Sequence, residues 1–291
     1  MVKILFRSAG LPTPSLPALL AVVCALVCAV AAPSVAVAQQ PVRVGGTGSA
    51  VAAMARVGDA AAAPDPGVRV RVLPSLGSTG AIRAVSDGAL DVGVSGRTLR
   101  EEERAHGLAS REVARTPFVF AVGPRVSAAG LTTEELVAIY LGKRVAWADG
   151  LRIRLVLRPR SDADTDLLRS ISPEVAAAVE AAAARPGMLV AVTNTECNEM
   201  VARSPGAIGP TTLLQVRAEP HPVRPLLWNG VEPTVDNLDS GRYPLGKSIH
   251  VVYRTPASDG VRRFLAFLGS SRGRQLLRDL GALPLDFPAV D

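Results

Sequence analysis

The sequence holds very little from which to build a metal site, a disulfide framework or an aromatic platform. It has three cysteines and three histidines in 291 residues, and only 4% of its residues are aromatic. His106, His221 and His250 lie far apart and match no metal-ligand spacing, so neither a metal nor another cofactor is expected. The scarcity of aromatics leaves a base-stacking or sugar-stacking surface undersupplied. The basic residues are scattered, with no run of four or more, which argues against a nucleic-acid partner. No Gly-x-Ser-x-Gly elbow stands in a strand-turn-helix setting, so a serine hydrolase lacks its nucleophile, and no enzymatic activity is expected. Charged residues make up 20% of the chain against 48% hydrophobic, a balance that supports a packed core and excludes wholesale disorder.

What is present begins with an export signal. Lys3 and Arg7 form a positive start, Leu16 to Ala32 is apolar, and Ala36-Val37-Ala38 is a small-residue cleavage site before Gln39. Residues 1–38 are therefore expected to be removed near Ala38, and the mature protein to be periplasmic. Pro33 breaks the apolar run and no basic flank follows it, which disfavours a membrane anchor. Val23 and Val27 precede Cys24 and Cys28, where a lipid-attachment site calls for a small residue. Cleavage would remove both cysteines and leave Cys197 without a disulfide partner, a small buried residue by expectation. The formal charge is +6, and loss of Lys3 and Arg7 lowers it by two. A modest attraction for anions remains.

The mature chain opens with a strand at Pro41 to Gly45, the turn Gly46-Thr47-Gly48-Ser49 and an Ala-rich helix over residues 50–63. Val51 stands where the third glycine of a G-x-G-x-x-G would fall, and no Gly-Lys-Thr or Gly-Lys-Ser follows the turn, so neither a dinucleotide fingerprint nor a phosphate-loop NTPase fits. Val68 to Leu73 is a second strand. Gly77-Ser78-Thr79-Gly80 opens a helix running to about Val85, and Val92-Gly93-Val94 leads as a third strand into Ser95-Gly96-Arg97. The pattern is β-α-β-α-β, which places ligands at the carboxyl ends of the strands. Turns of this kind set the N–H groups of helix starts beside hydroxyls, the donors an oxyanion needs. Farther on come a strand at Phe118 to Val122, a capping box at Thr132-Thr133-Glu134-Glu135, and a strand at Ile153 to Leu157 running into the polar turn Arg158 to Thr165. A strand at Ile249 to Tyr253 and two helices complete the chain. Taken singly, each Gly/Ser/Thr turn also reads as loop punctuation. Arg97 and Arg158 also read as surface arginines, and Asp162 and Asp164 as helix caps.

The order of the motifs resembles that of the exported phosphate-binding proteins that feed ABC transporters, of the type II periplasmic binding protein family. The matching stretches are Gly46-Thr47-Gly48-Ser49, Gly77-Ser78-Thr79-Gly80, Asp91 to Arg97, Leu131 to Leu136, Gly206-Ala207-Ile208-Gly209 and Gly241-Arg242-Tyr243-Pro244-Leu245. The last is the most specific, with Pro233 to Leu238 before it. The resemblance implies an α/β fold of two lobes joined by crossing strands, with the ligand in the cleft between them. Residues 41–120 with 250–291 would form a discontinuous lobe one and residues 121–249 lobe two, the crossings lying near Val119 to Val122 and Ile249 to Tyr253. The implied ligand-binding residues are Thr47, Gly48, Ser49, Ser78, Thr79, Gly80, Ser95, Gly96 and Arg97 on lobe one, and Arg158, Ser161 and Thr165 on lobe two, with Thr193 to Thr195 as an addition. The implied function is that of a monomer that captures inorganic phosphate, or a similar oxyanion, and presents it to an ABC permease in the membrane.

Two departures from the family pattern matter. Gly96-Arg97 stands where members often carry an aspartate, and Ser161-Asp162-Ala163-Asp164-Thr165 stands where Gly-Ser-Gly-Thr is usual. Two carboxylates repel an anion unless one accepts a ligand proton or pairs with Arg158 or Arg160. An alternative therefore stays open: a sensor or interaction protein on the same fold, with altered or lost anion binding.

Overall fold

A computed structural model describes residues 40–65 and 67–288. The expected export signal lies outside the described residues. Eight principal strands are β1 (Val42–Gly46), β2 (Val70–Val72), β3 (Val92–Ser95), β4 (Leu108–Val122), β5 (Arg154–Leu157), β6 (Leu189–Val190), β7 (Ala207–Thr212) and β8 (Gly246–Arg254). They pair in the order β2-β1-β3-β8-β4-β7-β5-β6 within one mixed sheet. Each residue of β3 is buried, as expected of a strand covered by helices on both faces.

The strand directions place the site. β1, β2 and β3 are mutually parallel, and β8 runs antiparallel to both β3 and β4, so β1–β3 run the same way as β4. β7 is antiparallel to β4, while β5 and β6 are parallel to β7. β4 is long enough to serve both groups: Leu108 to Pro117 pairs with β8, and Phe118 to Val122 with β7. The carboxyl ends of β1 and β3 therefore point along β4 toward the second group of strands, and those of β5 and β6 point back toward the first. The loops that follow all four converge near the middle of β4. The change of partner falls at Pro117–Phe118, beside Leu245–Gly246, where the Phe118 N–H donates to the Leu245 carbonyl at 2.8 Å.

Two hydrophobic cores flank this level. One gathers Val44, Met54, Val57, Val94, Ile249, Phe264 and Leu277. The other gathers Phe118, Phe120, Leu136, Tyr140, Trp147, Ile208 and Trp228. The short helix α5 (Leu213–Ala218) spans them: Leu214 and Ala218 belong to the first core and Leu213 to the second. Thr116 Oγ1 fixes it by accepting from the Leu214 N–H at 3.0 Å while donating to the Gly281 carbonyl at 2.9 Å.

The helices that matter for the site are α1 (Gly48–Ala62), α2 (Gly77–Ser86), α3 (Ala163–Arg169) and α4 (Asn194–Arg203). α1 and α2 begin slightly earlier than the turns imply, so Gly48, Ser49, Ser78, Thr79 and Gly80 lie in first helical turns rather than in loops.

Candidate functional site

α1 and α2 start with their first-turn amides free of a side-chain acceptor. The N-cap of α1 is Thr47, but its hydroxyl lies 2.9 Å from Ser49 Oγ and donates to Asn194 Oδ1 at 3.4 Å, with no cap bond to its own helix. The N-cap of α2 is Leu76, which has no oxygen to offer. Other helices are capped in the ordinary way: Ser172, Thr193, Thr212, Ser258 and Ser270 each accept from an amide in the first turn. Uncapped helix starts carry unsatisfied N–H groups and the positive end of the helix dipole. An anion is the partner that such an end attracts.

A cavity of about 380 Å³ opens at α2. Ser78, Thr79, Gly80 and Arg97 line one side of it, and Pro159, Ser161 and Asp162 the other. Ser78 Oγ accepts from the Gly96 N–H at 2.9 Å and so ties α2 to the turn after β3. Ser95 is buried; its hydroxyl donates to the Arg97 carbonyl at 2.7 Å and accepts from the Arg97 N–H at 3.2 Å, which closes that turn on itself. Arg97 reaches the Thr79 hydroxyl at 3.3 Å and grips Glu103 with both terminal nitrogens, at 2.8 and 2.7 Å. That guanidinium, despite partial desolvation, holds the Glu103 carboxyl down to about 2.

A cluster of charges is buried at the level where the strands converge. Arg158 follows β5, and its Nη2 donates to Asp162 Oδ2 at 2.9 Å while Nη1 donates to the Ala191 carbonyl. Lys247 of β8 donates to Asp164 Oδ1, and Asn194 Nδ2 donates to Asp164 Oδ2. Arg158 Nε stands 3.7 Å from the same Asp164 oxygen and has no hydrogen-bond partner. The Asp164 side chain is 0% exposed and that of Lys247 2%. Asp162 also caps α3, accepting from the Asp164 N–H at 2.9 Å. Burial, then the neighbouring Asp164 carboxylate, push the Asp162 pKa above the ordinary carboxylate value, against the pull of Arg158 and Lys247. The two acids and two cations balance, as buried charges must.

The structure brings most of the sequence-predicted residues into this neighbourhood. Ser78, Thr79, Gly80, Arg97 and Ser161 line the cavity. Thr47, Gly48 and Ser49 meet the start of α4 beside it: a Cβ on Gly48 would stand 3.0 Å from Asn194 Cβ and 3.2 Å from the Thr195 nitrogen. Ser95 and Gly96 form the turn under Lys247. Arg158 is buried rather than a surface arginine. Thr47, Gly48, Ser49, Ser95, Gly96, Arg158 and Thr165 are not among the cavity-lining residues; the Thr165 hydroxyl donates to the Pro159 carbonyl at 2.9 Å, within its own turn. Asp162 is the cap it was expected to be, whereas Asp164 accepts from Lys247 and Asn194 instead. Sequence reasoning missed Lys247, although a signal was present. Lys247 stands in period-two phase with Ile249, Val251 and Tyr253, and all four are buried.

A mixed sheet flanked by helices, with loops converging from two oppositely directed sets of strands, defines a two-sided binding fold. Residues 31–272 match the model of the PBP superfamily domain, and the chain belongs to that family. Among curated proteins it is similar to the phosphate-binding protein PstS of Bacillus subtilis (strain 168), with 27% identity over 229 residues, covering 76% of this chain and 72% of that one. It is also similar to the phosphate-binding protein PstS of Borreliella burgdorferi, with 22% identity over 214 residues, covering 71% and 77%. Among solved structures it is similar to a phosphate ABC transporter substrate-binding protein from Clostridium perfringens with bound phosphate. There the identity is 20%, the coverage 85% of this chain and 100% of that one, and the TM-score 0.70. These relatives are named as binding proteins, and the expected α/β fold of the periplasmic-binding type stands. Among the described residues no helix is long and apolar enough to cross a membrane.

Proposed function

We propose that the protein is an exported, monomeric binding protein that captures an inorganic oxyanion, phosphate foremost, between two lobes and presents it to an ABC permease. Lobe one holds the core around Val44 and Phe264 and lobe two the core around Phe118 and Trp228, with the crossings at Pro117–Phe118 and Leu245–Gly246. The observation that carries this reading is that two uncapped helix starts are linked to the buried cations: Ser78 at the start of α2 holds the Gly96 amide under Lys247, and Thr47 at the start of α1 reaches Asn194, which with Lys247 and Arg158 surrounds Asp164. A desolvated oxyanion has many lone pairs and is held best by neutral N–H and O–H donors with limited positive charge. The chain acts by binding alone. The names of the curated relatives support phosphate as the ligand.

The test is a melting-temperature titration of purified protein with phosphate, sulfate and molybdate. A ligand at a hundred times its Kd adds about 2.7 kcal/mol, which raises Tm by roughly 5–10 °C for a domain of this size. No shift with any of the three anions overturns the reading. The alternative of a sensor with altered anion binding has one specific support: the Asp164 carboxylate already sits among the donors.

A further inference from the structure

The surroundings of Asp164 are those of a bound anion. Its two carboxylate oxygens take Lys247 Nζ and Asn194 Nδ2, and Arg158 Nε faces them from 3.7 Å with no hydrogen bond of its own. The three donors come from three separate places: strand β8, the start of α4 and the end of β5. Asn194 is in turn the acceptor for Thr47 at the start of α1. The carboxylate is fully buried and joins segments that lie on opposite sides of the level where the strands converge. Gly96 is shaped for the arrangement, because a Cβ there would come within 2.7 Å of Lys247 Cε.

We infer that Lys247 is an oxyanion-binding residue of this site and that Asp164 is its resident internal anion, which an incoming oxyanion must displace. The inference rests on the proposed oxyanion binding and deepens it. Lys247 and Arg158 are matched in charge by Asp162 and Asp164, so an oxyanion added beside them would leave an excess of buried negative charge. Such an excess is strongly disfavoured where water is excluded. Displacing the Asp164 carboxylate returns the same donors to an anion of the same sign. Asp164 thereby sets how tightly the site holds its ligand, and in the absence of oxyanion it holds the two sides together in the ligand's place.

The test compares phosphate titrations of the wild-type protein, Asp164→Asn and Lys247→Met, read by melting temperature and by isothermal calorimetry. Neutralising Asp164 removes the competitor and leaves Lys247 in need of an anion, so Asp164→Asn should bind phosphate at least about tenfold more tightly than wild type. Lys247→Met should lose the phosphate response. If Asp164→Asn does not fold unaided, refolding it in phosphate and preparing Asp164→Ser, whose smaller side chain leaves room for the anion, provide the same comparison. A wild-type protein that binds phosphate as tightly as the Asp164 variants, or a Lys247→Met variant that binds as well as wild type, overturns the inference and leaves the oxyanion reading standing. Absence of phosphate binding in wild type overturns the oxyanion reading of the natural protein, and its absence in both Asp164 variants as well overturns the inference with it.

Discussion

Gly96 lies under the Lys247 side chain, so close that a Cβ at position 96 would approach Lys247 Cε to 2.7 Å and Nζ to 3.5 Å. The turn after β3 carries no side chain there, which lets the lysine reach Asp164 from β8. Lys247 is a long, flexible residue elsewhere in its repertoire, but here it is buried and tied at its tip. It cannot swing aside without breaking that tie. Gly96→Ala should therefore destabilise the fold by about 1–3 kcal/mol and alter the phosphate response at the same time. Urea unfolding and a phosphate titration of the same preparation check both. An alanine variant of wild-type stability would mean that the lysine repacks freely.

Gly48 makes a similar close approach between the start of α1 and the start of α4, with Asn194 Cβ at 3.0 Å from where its own Cβ would be. Here the neighbours are the stem and backbone of a helix, which give less readily than a chain end. Gly48→Ala should be tolerated with a small loss, because a shift of a few tenths of an ångström accommodates it. Gly48→Val should wedge the two helix starts apart, lower stability by about 1–3 kcal/mol and widen the particle in small-angle scattering. A valine variant as compact and stable as wild type would show that these helices do not need their present contact.

The fold was legible because its signals are local. The Gly/Thr/Ser turns after β1 and β3 mark strand ends, and Thr132 caps its helix where the capping box places it. The motif at Gly241 to Leu245 has a structural reason for standing out: the Tyr243 hydroxyl donates to the Phe118 carbonyl at 2.8 Å, and the Leu245 carbonyl accepts from the Phe118 N–H. Both hold β4 where it changes partner. The site was legible only in part. Turns announce donors, but the Lys247–Asp164 pair joins residues 83 positions apart, and no local pattern encodes such a pairing. Asp162 and Asp164 look alike in sequence as acids at a helix start. Only the fold separates the cap from the internal anion.

The Arg97–Glu103 pair makes acid stability specific. Glu103 in the folded chain titrates at about 2, below its ordinary value of 4.5. In that window the unfolded chain binds the proton that the folded chain refuses, so stability falls as pH falls. The contribution is complete above pH 4.5 and is lost on descent toward pH 2. Glu103→Gln should therefore flatten the acid limb of a stability–pH profile within that window and leave the profile near neutrality parallel to that of wild type. Guanidinium unfolding at half-unit pH steps measures the difference. An unchanged acid slope in the variant would place the sensitivity elsewhere.

Among the described residues Cys197 is the free, buried cysteine, and its surroundings forecast how it behaves. Burial pushes its thiol up to about 12, the positive charge of Arg158 notwithstanding. At neutral pH almost none of it is thiolate, the form that attacks a disulfide reagent. Its sulfur is also hemmed in, packed among Val156, Ala191, Val201 and Ala207 and 2.7 Å from where a Cβ on Gly209 would be. The folded protein should react with Ellman's reagent far more slowly than a free thiol and release its colour in full only once denatured. Because Cys197 lies on α4, whose first residue holds Asp164, the slow native rate also reports how often this part of the molecule opens. If Asp164 holds the two sides together in place of a ligand, Asp164→Asn without phosphate should label faster than wild type, and phosphate should slow it again. Equal rates in all three preparations would separate the thiol cluster from the anion site.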